Sequence, residues 1–267
     1  MAENYIAWIL NIGTELCIGR IVNTNGAWLA QQLTLLGFKV KRIVVVPDEE
    51  DVVELLRDAC RRARVVITTG GLGSTEDDRT AEFIAKAFGL DLVLNKEALE
   101  LVRRRYERAG FDLSEERKKM AKLPEGARPI PNPVGAAPGI HLEVKDCHIF
   151  ALPGVPREMQ TMFERHVKPL LERIGPKVCV VEEGYTVEGV PESSLAPLLK
   201  QAARACHDCY VKSHPKGDEV VNPVVEVRVL ASAPDCSEAR KKALAVLEEL
   251  KRLLGGADKN GGEESKS

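Results

Sequence analysis

The sequence predicts an α/β protein: a three-layer αβα domain built on a mainly parallel sheet, followed by a small α+β domain. Three observations carry this. Up to about residue 95, three strand–helix units follow one another in series, as expected where helices cross over between parallel strands. The first strand segment is a short, nearly continuous apolar run, the pattern of a strand buried on both faces. Near Ile174–Lys177 the composition shifts and a shorter β-α-β-β-α pattern begins.

The elements can be justified in order. YIAWILNI (Tyr5–Ile12) is the first strand, and NTNGAWLAQQLTLLGF then sets Trp28, Leu29, Leu33 and Leu36 at helical spacing before a C-capping Gly37. Asn23 and Asn25 read as caps at that helix start rather than as ligands. KVKRIVVV (Lys39–Val46) is the second strand. DEEDVVELLRDACRRA is a helix with acids in its first turn and arginines in its last, matching the helix dipole. RVVITT (Arg64–Thr69) is the third strand and opens into a glycine loop, with a helix expected over Thr75–Phe88. Lys96–Leu123 reads as charged, solvated helix, with the lesser possibility that some cations reach a phosphate. A Pro- and Gly-rich loop follows, then a strand, a tight turn and a helix starting near Pro156. Beyond the composition shift come β (Val178–Val187), α (Glu192–Ala205), β (Cys209–His214), β (Val220–Leu230) and α (Ser237–Leu254). The expected domains are therefore 1–172 and 176–254, with 255–267 a polar, glycine-rich disordered tail.

The composition is that of an ordinary globular chain: 267 residues, 44% hydrophobic, 29% charged, formal net charge −2. No apolar run approaches the ~18 to 20 residues of a membrane span. The start of the chain lacks a signal-peptide pattern, so a cytoplasmic location is expected. The small domain has no GxxG loop and no sustained basic stripe, which argues against a nucleic-acid partner. Seven cysteines are an odd count for a secreted disulfide framework. One CxxC, Cys206 and Cys209, without a second pair is a weak zinc signal; buried thiols or one local disulfide are expected, with metal or redox use the lesser alternative. The scarcity of glutamine, four in all, hints at a heat-adapted source. His141 and His214 are lone histidines without catalytic context, and Lys212 and Lys216 read as surface.

TTGGLGSTEDDRT (Thr68–Thr80) carries the chemistry. Gly70, Gly71 and Gly73 follow a strand and allow backbone N–H groups to approach an anion, in the position where open α/β sheets bind ligands. Glu76, Asp77 and Asp78 follow at once and should repel that anion. It is neither a Walker loop, having acids where the Lys would stand, nor a dinucleotide fingerprint, lacking the third glycine. A bland alternative is a tight turn with acids favouring a helix start. A hard divalent cation resolves the conflict, because Mg²⁺ is held by one or two carboxylates together with substrate phosphates.

Thr68-Thr69-Gly70-Gly71 with Asp78 and Thr80 resembles the molybdopterin-binding domain of MoaB, Mog, MoeA and gephyrin. NIGTELCIGRIVNTNGAWLA (Asn11–Ala30), TTGGLGSTEDDRT, PNPVGAAPG (Pro131–Gly139) and LPGVPREM (Leu152–Met159), in this order, resemble the CinA family in particular. The resemblance implies that Asp78 coordinates Mg²⁺ beside a phosphate, with Asp77 and Glu76 as supporting acids. Gly70, Gly71 and Gly73 would face the phosphate, with Ser74, Thr75 and Thr80 beside them; CinA-type proteins commonly carry Pro in place of Ser74. Gly13 and Glu15 would line the same strand-end edge, and Asn132, Gly139, Pro153, Gly154 and Pro156 the opposite wall.

For function, the resemblance implies a small-molecule nucleotide or pterin phosphate as partner, Mg²⁺-dependent hydrolysis of a pyrophosphate bond with ADP-ribose as best candidate, and a homo-oligomer. Asp77 or Glu76 would orient the attacking water. Molybdopterin adenylyl transfer and a non-enzymatic nucleotide sensor are the alternatives. The chain is similar to the shorter, archaeal-type members, in which nicotinamide mononucleotide deamidation is not expected.

Overall fold

The computed structural model describes residues 5–260, with side chains to residue 255. The chain divides into two compact units, one ending at Pro176 and the other beginning at Lys177.

In the first unit, β1 (Ile6–Ile12), β2 (Lys39–Val46), β3 (Val65–Thr69), β6 (Arg128–Ile130), β7 (Gly139–Val144) and β8 (Cys147–Leu152) form one sheet, in the order β2-β1-β3-β8-β7-β6. The first four in that order run parallel, whereas β7 pairs antiparallel with both β8 and β6. The sheet is mainly parallel, as the alternating pattern predicts. A separate antiparallel pair joins β4 (Leu92–Leu94) to β5 (Lys122–Pro124), a pairing absent from the sequence expectations.

Successive strand side chains point to opposite faces, so a strand covered on both sides must be apolar throughout. β1 does this. Trp8, Leu10 and Ile12 pack against Val52, Leu56, Phe83 and Ile84 of helices α3 (Asp51–Arg62) and α4 (Thr80–Phe88). Ala7 and Ile9 face Leu29 and Leu33 of α2 (Thr24–Leu35), together with Met159, Phe163 and Leu171. Met159 lies on α7 (Pro156–Met162), Leu171 on α8 (Lys168–Ile174), and Phe163 on the π-helical turn (Phe163–Val167) that joins them. A short helix, α1 (Thr14–Cys17), follows β1 directly. Gly37 ends α2 with φ 83° and Gly89 ends α4 in the left-handed conformation, both as C-capping glycines should.

The charged excursion contains α5 (Lys96–Arg108) and α6 (Glu115–Lys119). Three of its cations pair with acids of their own helices, Arg103 with Glu100 and Glu107, Arg104 with Glu100, and Lys118 with Glu115, while Arg105 and Arg117 donate to the backbone carbonyls of Val134 and Asp112. This is the solvated reading. The Lys119 ammonium reaches the backbone carbonyls of Thr75 and Glu76.

The second unit is a three-stranded antiparallel sheet in the order β10-β11-β9, from β9 (Cys179–Glu188), β10 (Tyr210–Pro215) and β11 (Val224–Ala233). Val225, Val227, Val229 and Ala231 alternate inward on β11 and pack on Leu195 and Leu199 of α9 (Glu192–Ala202) and Val246, Leu247 and Leu250 of α10 (Cys236–Asn260). Helix α10 continues through residues 255–260, and residues 261–267 lie outside the described residues.

The cysteines also depart from expectation. The local pair Cys206–Cys209 is a disulfide, but Cys60–Cys147 and Cys179–Cys236 are disulfides as well, closing sequence separations of 87 and 57 residues. Cys17 is free and exposed. Pairings across such separations depend on how α3 meets β8 and how β9 meets α10, which cysteine spacing does not encode.

Candidate functional site

The four parallel strands end side by side. Ile12 pairs with Val46, Asn11 with Thr69, and Thr69 with Leu152. The ladder runs one residue into the loops, where Gly13 N–H donates to Val46 O (2.9 Å) and Gly70 N–H to Leu152 O (3.0 Å). Each strand then hands over to a turn, and the turns enclose a cavity of about 1010 Å³. This is the carboxyl-terminal edge at which open α/β sheets bind ligands.

Of the residues expected in the site, Gly13, Glu15, Gly70, Gly71, Gly73, Ser74, Asp77, Asp78, Pro153, Gly154 and Pro156 all line this cavity. Gly70 and Gly71 have φ of 100° and 65°, a region that favours glycine. A Cβ on Gly70 would lie on Ile12 O, and one on Gly71 on Thr80 Oγ1.

Five expectations are corrected. The helix after the loop begins at Thr80, not Thr75, so Ser74 and Thr75 do not sit at a helix start. Asp78 explains why: its Oδ2 accepts from Thr75 N–H (2.9 Å) and from Thr75 Oγ1 (2.6 Å), folding Ser74–Asp78 into a closed turn that holds Thr75 away from the lining. Thr80 is fully buried; its hydroxyl donates to Gly70 O at 2.8 Å, making it the clamp of the loop rather than a contact for phosphate. Glu76 is exposed and outside the lining, with its carbonyl turned to Lys119. Gly139 is buried in the sheet, where a Cβ would meet Ala151 O at 2.7 Å. Asn132 also stands back from the lining: its Oδ1 accepts from Val134 and Gly135 N–H, and its Nδ2 donates to Ala137 O and, at 2.7 Å, to Glu158 Oε2.

Glu158 itself lines the cavity from the first turn of α7 and was missed by sequence reasoning, as were Asp48 and Glu49. Those two acids read as helix-start residues, yet α3 begins only at Asp51, leaving them on the turn after β2. Asp48 Oδ2 accepts from Thr14 N–H at 2.9 Å and so joins two strand-end turns. The available signal was position, since both follow the end of a parallel strand.

An amide relay crosses the strand ends. Asn11 Nδ2 donates to Thr69 Oγ1 (2.6 Å), Asn23 Nδ2 to Asn11 Oδ1 (2.9 Å), and Gly26 N–H to Asn23 Oδ1 (2.9 Å). Asn23 is therefore the helix cap expected. Asn25 is not; it lines the cavity and donates to Gly154 O.

The lining has a marked charge character. Its titratable side chains are Glu15, Asp48, Glu49, Asp77, Asp78, Glu158 and Tyr106, with no Lys, Arg or His among the described residues that line it. These are hard oxygen donors, the donor type that Mg²⁺ selects. An apolar flank of Leu72, Tyr106, Met120 and Ala137 is continuous with the glycine loop, and could take a planar heterocycle.

Fold and cavity together define an αβα domain with an acidic, glycine-walled cavity at its strand ends. Residues 8–173 match the family described as probable molybdopterin binding domain, and the chain belongs to that MoaB/Mog-type family, in its CinA-like branch. A protein from Aeropyrum pernix is 54% identical over 261 residues, 96% of this chain and 97% of its own. One from Pyrobaculum arsenaticum is 52% identical over 249 residues, 93% and 94% respectively. The crystal structure described as the protein CinA with unknown function from Thermoplasma acidophilum is 39% identical, with TM-score 0.60, over 63% of this chain and 99% of that one. Among the described residues no helix is long and apolar enough to cross a membrane.

Proposed function

We propose that the first unit binds a nucleotide or pterin phosphate together with a divalent cation and hydrolyses a pyrophosphate bond, with ADP-ribose as the leading substrate. One observation carries this reading: a glycine loop suited to phosphate lies in a cavity lined by six carboxylates and no cationic side chain. Bare phosphate is repelled there, and phosphate accompanied by a cation is attracted. Asp78 and Asp77 would hold the cation, which when bound would neutralise charge on the diphosphate. Gly70, Gly71 and Gly73 let the backbone approach the anion, Thr80 fixes the loop, and the Tyr106–Met120 flank accommodates a base or pterin. Asp77, unlike Glu76, lines the cavity, and orients the water that attacks phosphorus in line.

The test is product formation from ADP-ribose with and without Mg²⁺, for wild type and Asp78→Asn. AMP and ribose 5-phosphate in equal amounts are expected only with the metal, with a rate loss of roughly 100-fold or more in the variant. Binding without turnover would reduce the reading to a nucleotide-binding module. A variant as fast as wild type would sink the assignment of Asp78. The family description favours one second reading, adenylyl transfer to molybdopterin, for which ATP and a pterin phosphate are the substrates to test.

A further inference from the structure

The second unit lies outside the matched residues 8–173 and carries a feature that the phosphate site does not use. Cys206 and Cys209 form a disulfide on the turn between the 3₁₀ turn Ala203–Ala205 and β10. Cys206 is buried in the apolar core of this unit, whereas Cys209 is only partly buried and is the more exposed residue of the pair. Two neighbours set this pair apart from Cys60–Cys147 and Cys179–Cys236.

The first is the turn itself. Cys209 N–H donates to Cys206 O (3.3 Å), and Cys206 N–H to Ala203 O (3.2 Å). Backbone bonds close the turn whether or not the sulfurs are joined, so reduction leaves two thiols held within reach of each other. A bridge across three residues also removes little entropy from the unfolded chain, far less than bridges across 57 or 87 residues. Opening it costs the fold least.

The second is Asp208. Its Oδ1 lies 3.2 Å from Cys206 Sγ, and its Oδ2 accepts from Lys242 Nζ at 2.9 Å. Lys242 is anchored in turn on Ser232 O (3.2 Å). A disulfide sulfur has no proton to give, so in the oxidised state this carboxylate–sulfur approach is unused. A Cys206 thiol would donate to it. Lys242 holds the Asp208 carboxyl below its usual range, which keeps it an acceptor at neutral pH. Asp208 is thus placed to stabilise the reduced form selectively.

From this arrangement we infer that Cys206–Cys209 is a thiol–disulfide exchange site that accepts electrons from a dithiol, while the two long-range bridges are structural. The exchange balances as follows. A donor thiolate attacks Cys209 Sγ, the Cys206–Cys209 bond breaks, and Cys206 leaves with the electron pair and takes up a proton, giving the thiol that donates to Asp208. The second donor thiol then attacks the donor sulfur of the mixed disulfide, releasing Cys209 and leaving the donor as a disulfide. Two protons and two electrons pass from the dithiol to the protein.

Equilibration of the folded full-length protein in mixtures of reduced and oxidised dithiothreitol tests this, with acid quenching, N-ethylmaleimide labelling and peptide mass spectrometry. The peptide or peptides carrying Cys206 and Cys209 should gain two labels at a reduced-to-oxidised ratio at least roughly tenfold below that opening either other bridge, with the far-UV circular dichroism unchanged. Asp208→Ala should raise the ratio needed by roughly tenfold, the worth of a hydrogen bond to a charged acceptor. Opening of all three bridges at one ratio, loss of structure on opening the pair, or an unshifted ratio in Asp208→Ala would each overturn the inference.

Discussion

Asn25 donates its side-chain N–H to the carbonyl of Gly154 at 2.7 Å, across 129 residues of sequence. The bond ties the first turn of α2 to the loop leaving β8, so two walls of the cavity are held by one amide. The other side-chain atom, Oδ1, is buried without a partner among the described residues, and such an atom is costly unless it gains one.

Asn25→Ala should therefore do two things. It should destabilise the protein by about 0.5–1.5 kcal/mol through loss of the hydrogen bond itself, offset in part because the unpartnered Oδ1 goes with it and Gly154 is exposed to water. It should also weaken ADP-ribose binding by more than that loss of stability explains, since the Gly154 loop is freed. Thermal melts together with titration of Mg²⁺-ADP-ribose separate the two effects; unchanged affinity at a lowered melting temperature would restrict Asn25 to a structural role.

Gly70→Ala and Gly89→Ala form a matched pair. Both glycines have positive φ, but nothing stands within 4 Å of a Cβ on Gly89, whereas one on Gly70 would meet Ile12 O. The Gly89 variant should cost about 1 kcal/mol, the backbone term alone. The Gly70 variant should cost more and abolish the proposed turnover, because the loop must leave the end of β1. Denaturant melts with activity assays decide between this and equal costs.

Neutralising a cavity acid whose side chain holds nothing in place should relax the proposed metal requirement. Glu49 lines the cavity, and both hydrogen bonds found for it are made by its backbone. Glu49→Gln should tighten metal-free nucleotide binding by roughly 2- to 5-fold, the scale of one exposed charge interaction, and change metal-loaded binding less. Calorimetric titration with and without EDTA measures both.

These predictions also mark how far the sequence could be read. The parallel sheet was legible because β1 is apolar on both faces, and the glycine loop because Gly70 and Gly71 need backbone conformations that other residues avoid. The helix start was misread because local propensity cannot tell an acid in a first turn from one, like Asp78, whose carboxylate closes the preceding turn. Thr80 looked like a phosphate donor because its motif says nothing about burial. Asp48, Glu49 and Glu158 stayed hidden for a different reason: each reaches the cavity only through strand neighbours distant in sequence, and register is a tertiary property.

Acid should destabilise the first unit through two stacked histidines on β7 and β8. His141 lies flat against Phe150, with centroids 4.6 Å apart, and its Nε2 is 3.3 Å from His148 Nδ1. Burial, with His148 adding to it, pushes His141 down to about 4; burial also lowers His148. Arg128 and Arg64 act in the same direction and Glu143 against it. The unfolded chain then binds more protons than the folded one between about 6.5 and about 4. Stability should be complete above that window and fall as pH drops through it. His141→Phe, which keeps the stacking, should flatten the loss in melts at pH 7.5, 5.5 and 4.5; an unchanged slope would place the titration elsewhere.

The sheet order has a consequence for a chain still being made. β1, β2 and β3 are complete by Thr69, yet the neighbour that completes the parallel row, β8, ends at Leu152, and the Pro153–Pro156 turn and Glu158 come later still. A nascent chain that has emerged only as far as β7 has its glycine loop but lacks the opposite wall, and Asn25 has no carbonyl to hold. The cavity is therefore completed late in synthesis, when a strand far along the chain docks beside β3. A ribosome stalled before that point carries a chain whose glycine loop faces open solvent where the second wall will stand.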